Sequence, residues 1–327
     1  LPAGHYALFE NGKLIVAAWW KPHFVEDRRV PYADIKAEFR QILRDAVTDQ
    51  IGTGAIGCFL SGGTDSSTVA GLIREVTGQP AEAFSIGFEA AGYDEMEYAR
   101  LAARHFGAKH HEYYVTPDDL VRSIPEVAAS YDQPFGNSSV VPAFYCAKAA
   151  REAGIARILA GDGGDELFGG NTRYAKQRVF GAYEQIPGIL RRGLLEPLLT
   201  GTILPGKIPG LKKVVSYVEQ ASVPMPDRMQ MYNLLGRLGL SEVLTPEFLA
   251  QVNPQDTLRQ QREAYEAGDA SAQVNRMLWY DWKYTLADND LPKVLGSTKL
   301  AGLEVGFPLL DDRLVDFSLR LDPELKL

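Results

Sequence analysis

The stretch Ala55-Ile56-Gly57-Cys58-Phe59-Leu60-Ser61-Gly62-Gly63-Thr64-Asp65-Ser66-Ser67 decides how the 327-residue chain is read. Residues 55–60 form a short apolar run bounded by glycine, the mark of a strand buried on both faces. A polar, glycine-rich loop follows, and then a helical pattern to about Val76. Gly62 and Gly63 let the backbone take positive φ and approach a ligand closely. Ser61, Ser66 and Ser67 supply hydroxyls. Orphan N–H groups and the dipole at the helix start favour an anion such as a phosphate. Asp65 would repel a bare phosphate, but fits if a hard divalent cation lies between carboxylate and phosphate. This is not a Walker loop, because no Gly-Lys-Ser/Thr follows.

Outward from this stretch, strand and helix patterns alternate. Ala83–Phe88, His110–Val115 and Ile155–Ala160 read as further strands. A helix opens at Asp94, with Glu97 completing a capping box, and closes at Gly107. Another starts at Thr116-Pro117, with a capping hydroxyl and a proline at the first helical position. A third runs from Val140 to Ala153 and ends at Gly154. The alternation predicts an α/β fold, a parallel sheet with helices on both faces. Ligands of such sheets bind at the carboxyl ends of the strands. The last strand leads into Gly161-Asp162-Gly163-Gly164-Asp165-Glu166, so both glycine-rich loops are expected to line one crevice. Upstream, Asn11-Gly12 between two apolar runs signals a hairpin, and a helix is expected near Ile35–Val47. Beyond about Tyr174 the periodicity is helical, broken at Ile186-Pro187-Gly188, Leu204-Pro205-Gly206 and Ile208-Pro209-Gly210. The expected organisation is a hairpin and linker at 1–34, the α/β domain at 35–180 and a helical subdomain at 181–327.

Composition narrows the classes. Hydrophobic residues make up 46% and charged residues 23%, so disorder and coiled coil are excluded. No apolar run is long enough to span a bilayer. The start of the chain lacks the pattern of a signal peptide, and a cytoplasmic protein is expected. A net charge of −8 argues against extended nucleic-acid partners, though not against one small anion. The two cysteines, Cys58 and Cys146, read as buried free thiols. The five histidines lack metal-ligand spacing, and His110 and His111, adjacent in a strand, should face opposite sides.

The 61–66 string resembles the Ser-Gly-Gly-x-Asp-Ser signature of the ATP-pyrophosphatases, the adenine-nucleotide α-hydrolase-like fold. Leu159-Ala160-Gly161-Asp162-Gly163-Gly164-Asp165-Glu166-Leu167-Phe168-Gly169-Gly170 and Gly302–Arg313 resemble the later signatures of the asparagine synthetase family. The resemblance covers residues from about 35 to the end. It implies ATP and Mg²⁺, with Asp65 and Asp165 as metal carboxylates. It implies that Asp162, one methylene shorter than the more usual Glu, faces an acyl-adenylate and handles the amine proton. Phe59, Leu60, Ile86, Ala160 and Gly161 match positions around the adenosine. Ser61, Gly62, Gly63, Ser66, Ser67 and, in the loop before the Val140 helix, Ser138 match positions around the pyrophosphate. Ser138 and Ser139 equally suit capping of that helix, and Glu166 equally suits a helix-start carboxylate.

The implied reaction is amidation of a carboxylate, by default aspartate to asparagine, with ammonia or glutamine-derived ammonia as the amine source. The family's Asp-Arg-x-Ser-Met segment reads Leu295-Gly296-Ser297-Thr298-Lys299 here, and the Arg after its Glu-Val is Gly306. These departures motivate an alternative, a relative that amidates another carboxylate or closes a ring as β-lactam synthetase does. A non-catalytic nucleotide-binding module is the alternative of a different class. Asp288-Asn289-Asp290 with Lys293 resembles the family's stretch before its Asp-Arg-x-Ser-Met segment. Lys293 and Lys299 could contact phosphate, but each is read first as a solvated surface lysine. Residues 1 to about 20 resemble the last hairpin of a glutaminase domain, and the chain is expected to be trimmed at both ends, with a degenerate member of the family as the alternative. Oligomeric state is left open.

Overall fold

The computed structural model describes residues 1–26, 29–88, 95–132, 136–184, 186–191, 193, 197, 211–231 and 233–326. Asp94 and the Leu204–Gly210 turns, singled out above, lie outside the described residues. The chain packs as two units. One joins Val25–Gly169 to Asp281–Lys326, and the other joins Leu1–Phe24 to Gly170–Tyr280.

In the second of these units, His5–Glu10 (β1) and Lys13–Ala18 (β2) pair antiparallel around Asn11-Gly12. Asn11 and Gly12 have φ of 51° and 74°, the two positive values of a type I′ turn. His23 Nδ1 lies 2.7 Å from Asp269 Oδ2 in the same unit. Its helices Thr172–Glu184 and Leu211–Ser222 bury Phe180, Tyr183, Val218 and Ala221 together. The buried Arg228 guanidinium sits 5.2 Å from the Phe180 ring centre and donates to the Ala221 carbonyl at 3.0 Å.

The sheet unit contains Ile56–Phe59 (β3), Glu82–Phe88 (β4), Lys109–Val115 (β5), Arg157–Leu159 (β6) and Glu304–Gly306 (β7). All pairings are parallel, and the order is β5-β4-β3-β6-β7. Side chains alternate across the sheet. Cys58, Leu60, Ala83 and Leu159 enter one core with residues of Tyr32–Gln50 (α1), Thr64–Thr77 (α2) and Met96–Phe106 (α3). Phe59, Phe84 and Ile158 enter the opposite core, with Cys146, Ala147 and Ala150 of the helix Val140–Glu152 (α5). Helices thus cover both faces. Pro117–Ala129 (α4) opens with a capping box between Thr116 and Asp119. Glu95 is the N-cap of α3, without a side-chain hydrogen bond, and the expected box rests on Asp94, outside the described residues. Gly107 ends α3 in the left-handed region, as expected.

One feature differs from the sequence reading. The helical stretch does not continue to the C-terminus, because residues 281–326 return to the sheet unit and contribute β7. Three residues are too few to show a period, so β7 carries no strand signal of its own. A π-helical segment, Trp282–Asp290, precedes it, followed by the helix Leu291–Leu300 (α7). Cys58 and Cys146 are buried free thiols, both pushed up by burial, Cys58 to about 12. His110 and His111 face opposite sides: His110 Nε2 lies 2.7 Å from Ser85 Oγ, whereas His111 stacks on Phe84. Among the described residues no helix is long and apolar enough to cross a membrane.

Candidate functional site

The loop between β3 and α2 holds itself in shape. Ser61 Oγ and Ser66 Oγ are 3.0 Å apart, and the Ser61 N–H donates to Ser66 Oγ at 3.2 Å. Gly62 has φ of 84°, and a Cβ there would sit 2.5 Å from the Ala99 backbone nitrogen. Both its conformation and the close approach of α3 therefore require glycine. The Ser67 hydroxyl is buried with no partner among the described residues.

The loop after β6 lies on the first turn of α2. A Cβ on Gly161 would come 2.7 Å from the Ser66 backbone nitrogen and 2.9 Å from the Asp65 carbonyl carbon. Gly164, the first residue of the short helix Gly164–Phe168 (α6), faces the Asp65 carboxylate. The backbone N–H of Asp165 donates to that carboxylate. Burial, and then the charges of Asp165 and Asp162, push the Asp65 carboxyl up to about 6 against this hydrogen bond. The two loops thus meet at the carboxyl ends of adjacent strands.

Asp162 and Glu166 line the same region. Burial raises the Asp162 carboxyl above the ordinary range, Asp290 adds to this, and Lys293 opposes it. Lys293 Nζ lies 4.0 Å from Asp162 Oδ1 and donates to Asp290 Oδ1 at 2.9 Å. Glu166 is buried and pushed up to about 7, chiefly by desolvation, with the Asp165 charge contributing. Its backbone carbonyl accepts from the Trp282 indole at 2.8 Å. Glu166 stands in the first turn of α6, where a helix-start carboxylate is expected, and is buried there.

Lys293 corrects the sequence reading. Its side chain is 17% exposed and ion-paired, not a solvated surface group. Asp290, within the Asp288-Asn289-Asp290 stretch that resembles the family's, carries no role in the sequence reading. It is the last residue of the π-helical segment before α7, three residues ahead of Lys293, and no sequence period announces such a segment. Lys299, by contrast, is exposed at the opposite, amino-terminal edge of the sheet.

The remaining candidates divide. The Leu60 N–H donates to the Phe84 carbonyl at 2.9 Å, and the Ser85 hydroxyl donates to the Leu60 carbonyl. The Ala160 N–H donates to the Gly306 carbonyl at 2.9 Å. These backbone groups are largely engaged in the sheet. Phe59 and Ile86 turn their side chains to the α5 face. Ser138 is exposed just before α5. Ser139, at the N-cap, makes no side-chain cap, and its N–H donates instead to Asn137 Oδ1 at 2.9 Å. Tyr131 donates to the carbonyls of Pro292 and Lys293 at 3.2 and 3.3 Å, and its ring end packs on Gly296.

Among the described residues no group of three or more His, Cys, Asp or Glu forms a metal cluster. The donor set nevertheless suits a hard cation. Asp65 and Asp165 are two mutually repelling carboxylates, and Mg²⁺ is commonly held by one or two carboxylates plus ligand phosphates.

The parallel sheet covered by helices on both faces, with two glycine-rich loops meeting at the carboxyl ends of adjacent strands, defines an α/β protein. The family model described as asparagine synthase matches residues 38–327, and the chain belongs to that family. Asparagine synthetase [glutamine-hydrolyzing] 1 of Bacillus subtilis is 25% identical over 333 residues, covering 99% of this chain and 50% of the relative. A putative asparagine synthetase [glutamine-hydrolyzing] 2 of Methanocaldococcus jannaschii is 38% identical over 156 residues, covering 47% of this chain and 30% of the relative. A putative asparagine synthetase of Mycobacterium bovis is 34% identical over 208 residues, covering 59% and 30%. The chain therefore spans half, or less, of the length of these relatives.

Proposed function

We propose that the crevice binds ATP and that the chain amidates a carboxylate through an acyl-adenylate, releasing AMP and pyrophosphate. The observation that carries this reading is the second loop seated on the first turn of α2, with the Asp165 N–H on the Asp65 carboxylate. In this reading the phosphates lie on the N–H groups at the start of α2, with the hydroxyls of Ser61, Ser66 and Ser67 around them. Asp65 and Asp165 would hold Mg²⁺, which when bound supplies positive charge beside the phosphate oxygens.

The substrate carboxylate attacks the α-phosphorus, and the bond to the β-phosphate oxygen breaks. The amine then attacks the acyl carbon, its proton passes to Asp162, and AMP leaves. Lys293 favours the ionised form of Asp162 that this transfer needs. The default pair is aspartate to asparagine. A second reading, another carboxylate, is favoured by one observation: Leu295 and Gly296 offer no charge, and Tyr131 packs over Gly296.

Incubating the protein with ATP, Mg²⁺, ammonium and a panel of carboxylates should yield AMP and pyrophosphate with at least one of them. Formation of neither, with every member of the panel, would sink the enzymatic reading in favour of a non-catalytic nucleotide-binding module. Gly161→Ala should retain the fold yet lower pyrophosphate release by roughly tenfold or more, since the new methyl presses the loops apart. Unchanged release would show that their contact is not needed.

A further inference from the structure

At the amino-terminal ends of β3, β6 and β7, opposite the two glycine-rich loops, the sheet unit carries a second cavity of about 660 Å³. Register builds its floor, because Ile56, Arg157 and Glu304 are paired in one row across the three strands. Gly52-Thr53-Gly54, linking α1 to β3, form one wall. Arg151 from the last turn of α5 and Lys299 from the last turn of α7 form another.

Three cations thus share one concavity with one carboxylate. Among the described residues none of the side chains of Arg151, Arg157 and Lys299 forms an ion pair or a hydrogen bond. Glu304 stands beside Arg157 in register without pairing to it. The Arg157 Nε is buried and has no acceptor. Three helices, α1, α5 and α7, end near this edge, and cations there offset the negative ends of helix dipoles. That accounts for Arg151 and Lys299. It does not account for Arg157, which stands on a strand with a shielded, unused donor.

We propose that this cavity binds a small oxyanion of two or more negative charges, phosphate or a phosphomonoester. Arg157 lies at its floor, and Arg151 and Lys299 stand at its rim. A guanidinium presents parallel N–H donors that match phosphate oxygens. The Thr53 hydroxyl is a further donor on the wall, and Ile56 and Leu303 provide an apolar side for the carbon part of an ester.

The test uses the whole chain with Mg²⁺ and saturating α,β-methylene-ATP, so that the other crevice is filled. Inorganic phosphate and glycerol 3-phosphate are titrated at constant ionic strength, with heat of binding and Tm as readouts. Saturable binding of either, with a rise in Tm, is expected, and the better ligand tells free phosphate from ester. The exposed double variant Arg151→Ser/Lys299→Ser should weaken it by about tenfold or more. Glu304→Gln should tighten it severalfold, whereas Asp65→Asn should leave it unchanged. Absence of saturable binding would overturn the proposal. So would a double variant that loses Tm but keeps full affinity, since its cations would then serve only the helix ends.

Discussion

Asp65→Asn should give a chain that is more stable than the parent above pH 6 and inactive in pyrophosphate release. The Asp65 carboxyl has an ordinary value of 3.8 and is pushed up to about 6 in the fold, first by burial and then by Asp165. Between these two values the folded chain holds a proton that the unfolded chain has lost. Stability from this group is therefore complete below about pH 4, falls as pH rises, and is gone once pH passes about 6. Glu166, pushed up to about 7 from 4.5, adds a loss of the same sign over a higher window. At pH 8 the parent carries a buried carboxylate that repels Asp165, and the asparagine variant does not. A gain of roughly 2–6 °C in Tm is expected at pH 8, at about 2–4 °C per kcal/mol for a unit of this size, and none at pH 4. Activity should fall by roughly 10²–10³-fold or more, because charge developing on the phosphates loses its counterpart. Mg²⁺ should raise the parent's Tm increasingly as pH rises through 6, where protons cease to compete, and should do less for the variant. A variant with Tm at or below the parent at pH 8, or with pyrophosphate release within tenfold, would contradict the metal-carboxylate role.

An Asp65 that is destabilising and, in the proposed reaction, needed is the kind of local conflict that sequence rules expect at functional sites. Most of the frame was legible for the same reason the conflict is. Strand β3 is a contiguous apolar run followed by a helix start, and the turn chemistry at Asn11-Gly12, Thr116-Pro117 and Gly107 is local. The two glycine-rich loops could be brought together by topology alone, since both leave strand carboxyl ends. What escaped is what no local pattern encodes. Strand β7 has three residues, and it is defined by its partner β6 rather than by its own periodicity. The pair Asp290–Lys293 depends on a π-helical turn, and its approach to Asp162 joins segments far apart in sequence. A lysine read one residue at a time looks solvated; only the packing of α7 makes it half of an ion pair.

The same packing leads to the second large effect. Asp162→Asn should abolish amide formation while sparing adenylation. In the proposed reaction the carboxylate of Asp162 is needed when the amine attacks, not when ATP is opened, so the two half-reactions separate. Carboxylate-dependent exchange of labelled pyrophosphate into ATP should stay within severalfold of the parent, and amide formation should drop by roughly 10²–10⁴-fold, the usual contribution of a positioned proton acceptor. Lys293→Met should show the same division more mildly. Burial already raises the Asp162 carboxyl, and the ammonium 4.0 Å away opposes this. Without the ammonium, Asp162 rises further, and the acid limb of the pH profile for amide formation should move to higher pH while the exchange reaction keeps its own. Asp290→Asn acts in the opposite sense: it removes a charge that raises Asp162 and leaves Lys293 without its anionic partner. The limb should then move to lower pH. If Lys293→Met and Asp290→Asn shift it in the same direction, these residues act on the fold of α7 rather than on Asp162. If Asp162→Asn stops pyrophosphate exchange as completely as amide formation, Asp162 belongs to adenylation, and another group must take the amine proton.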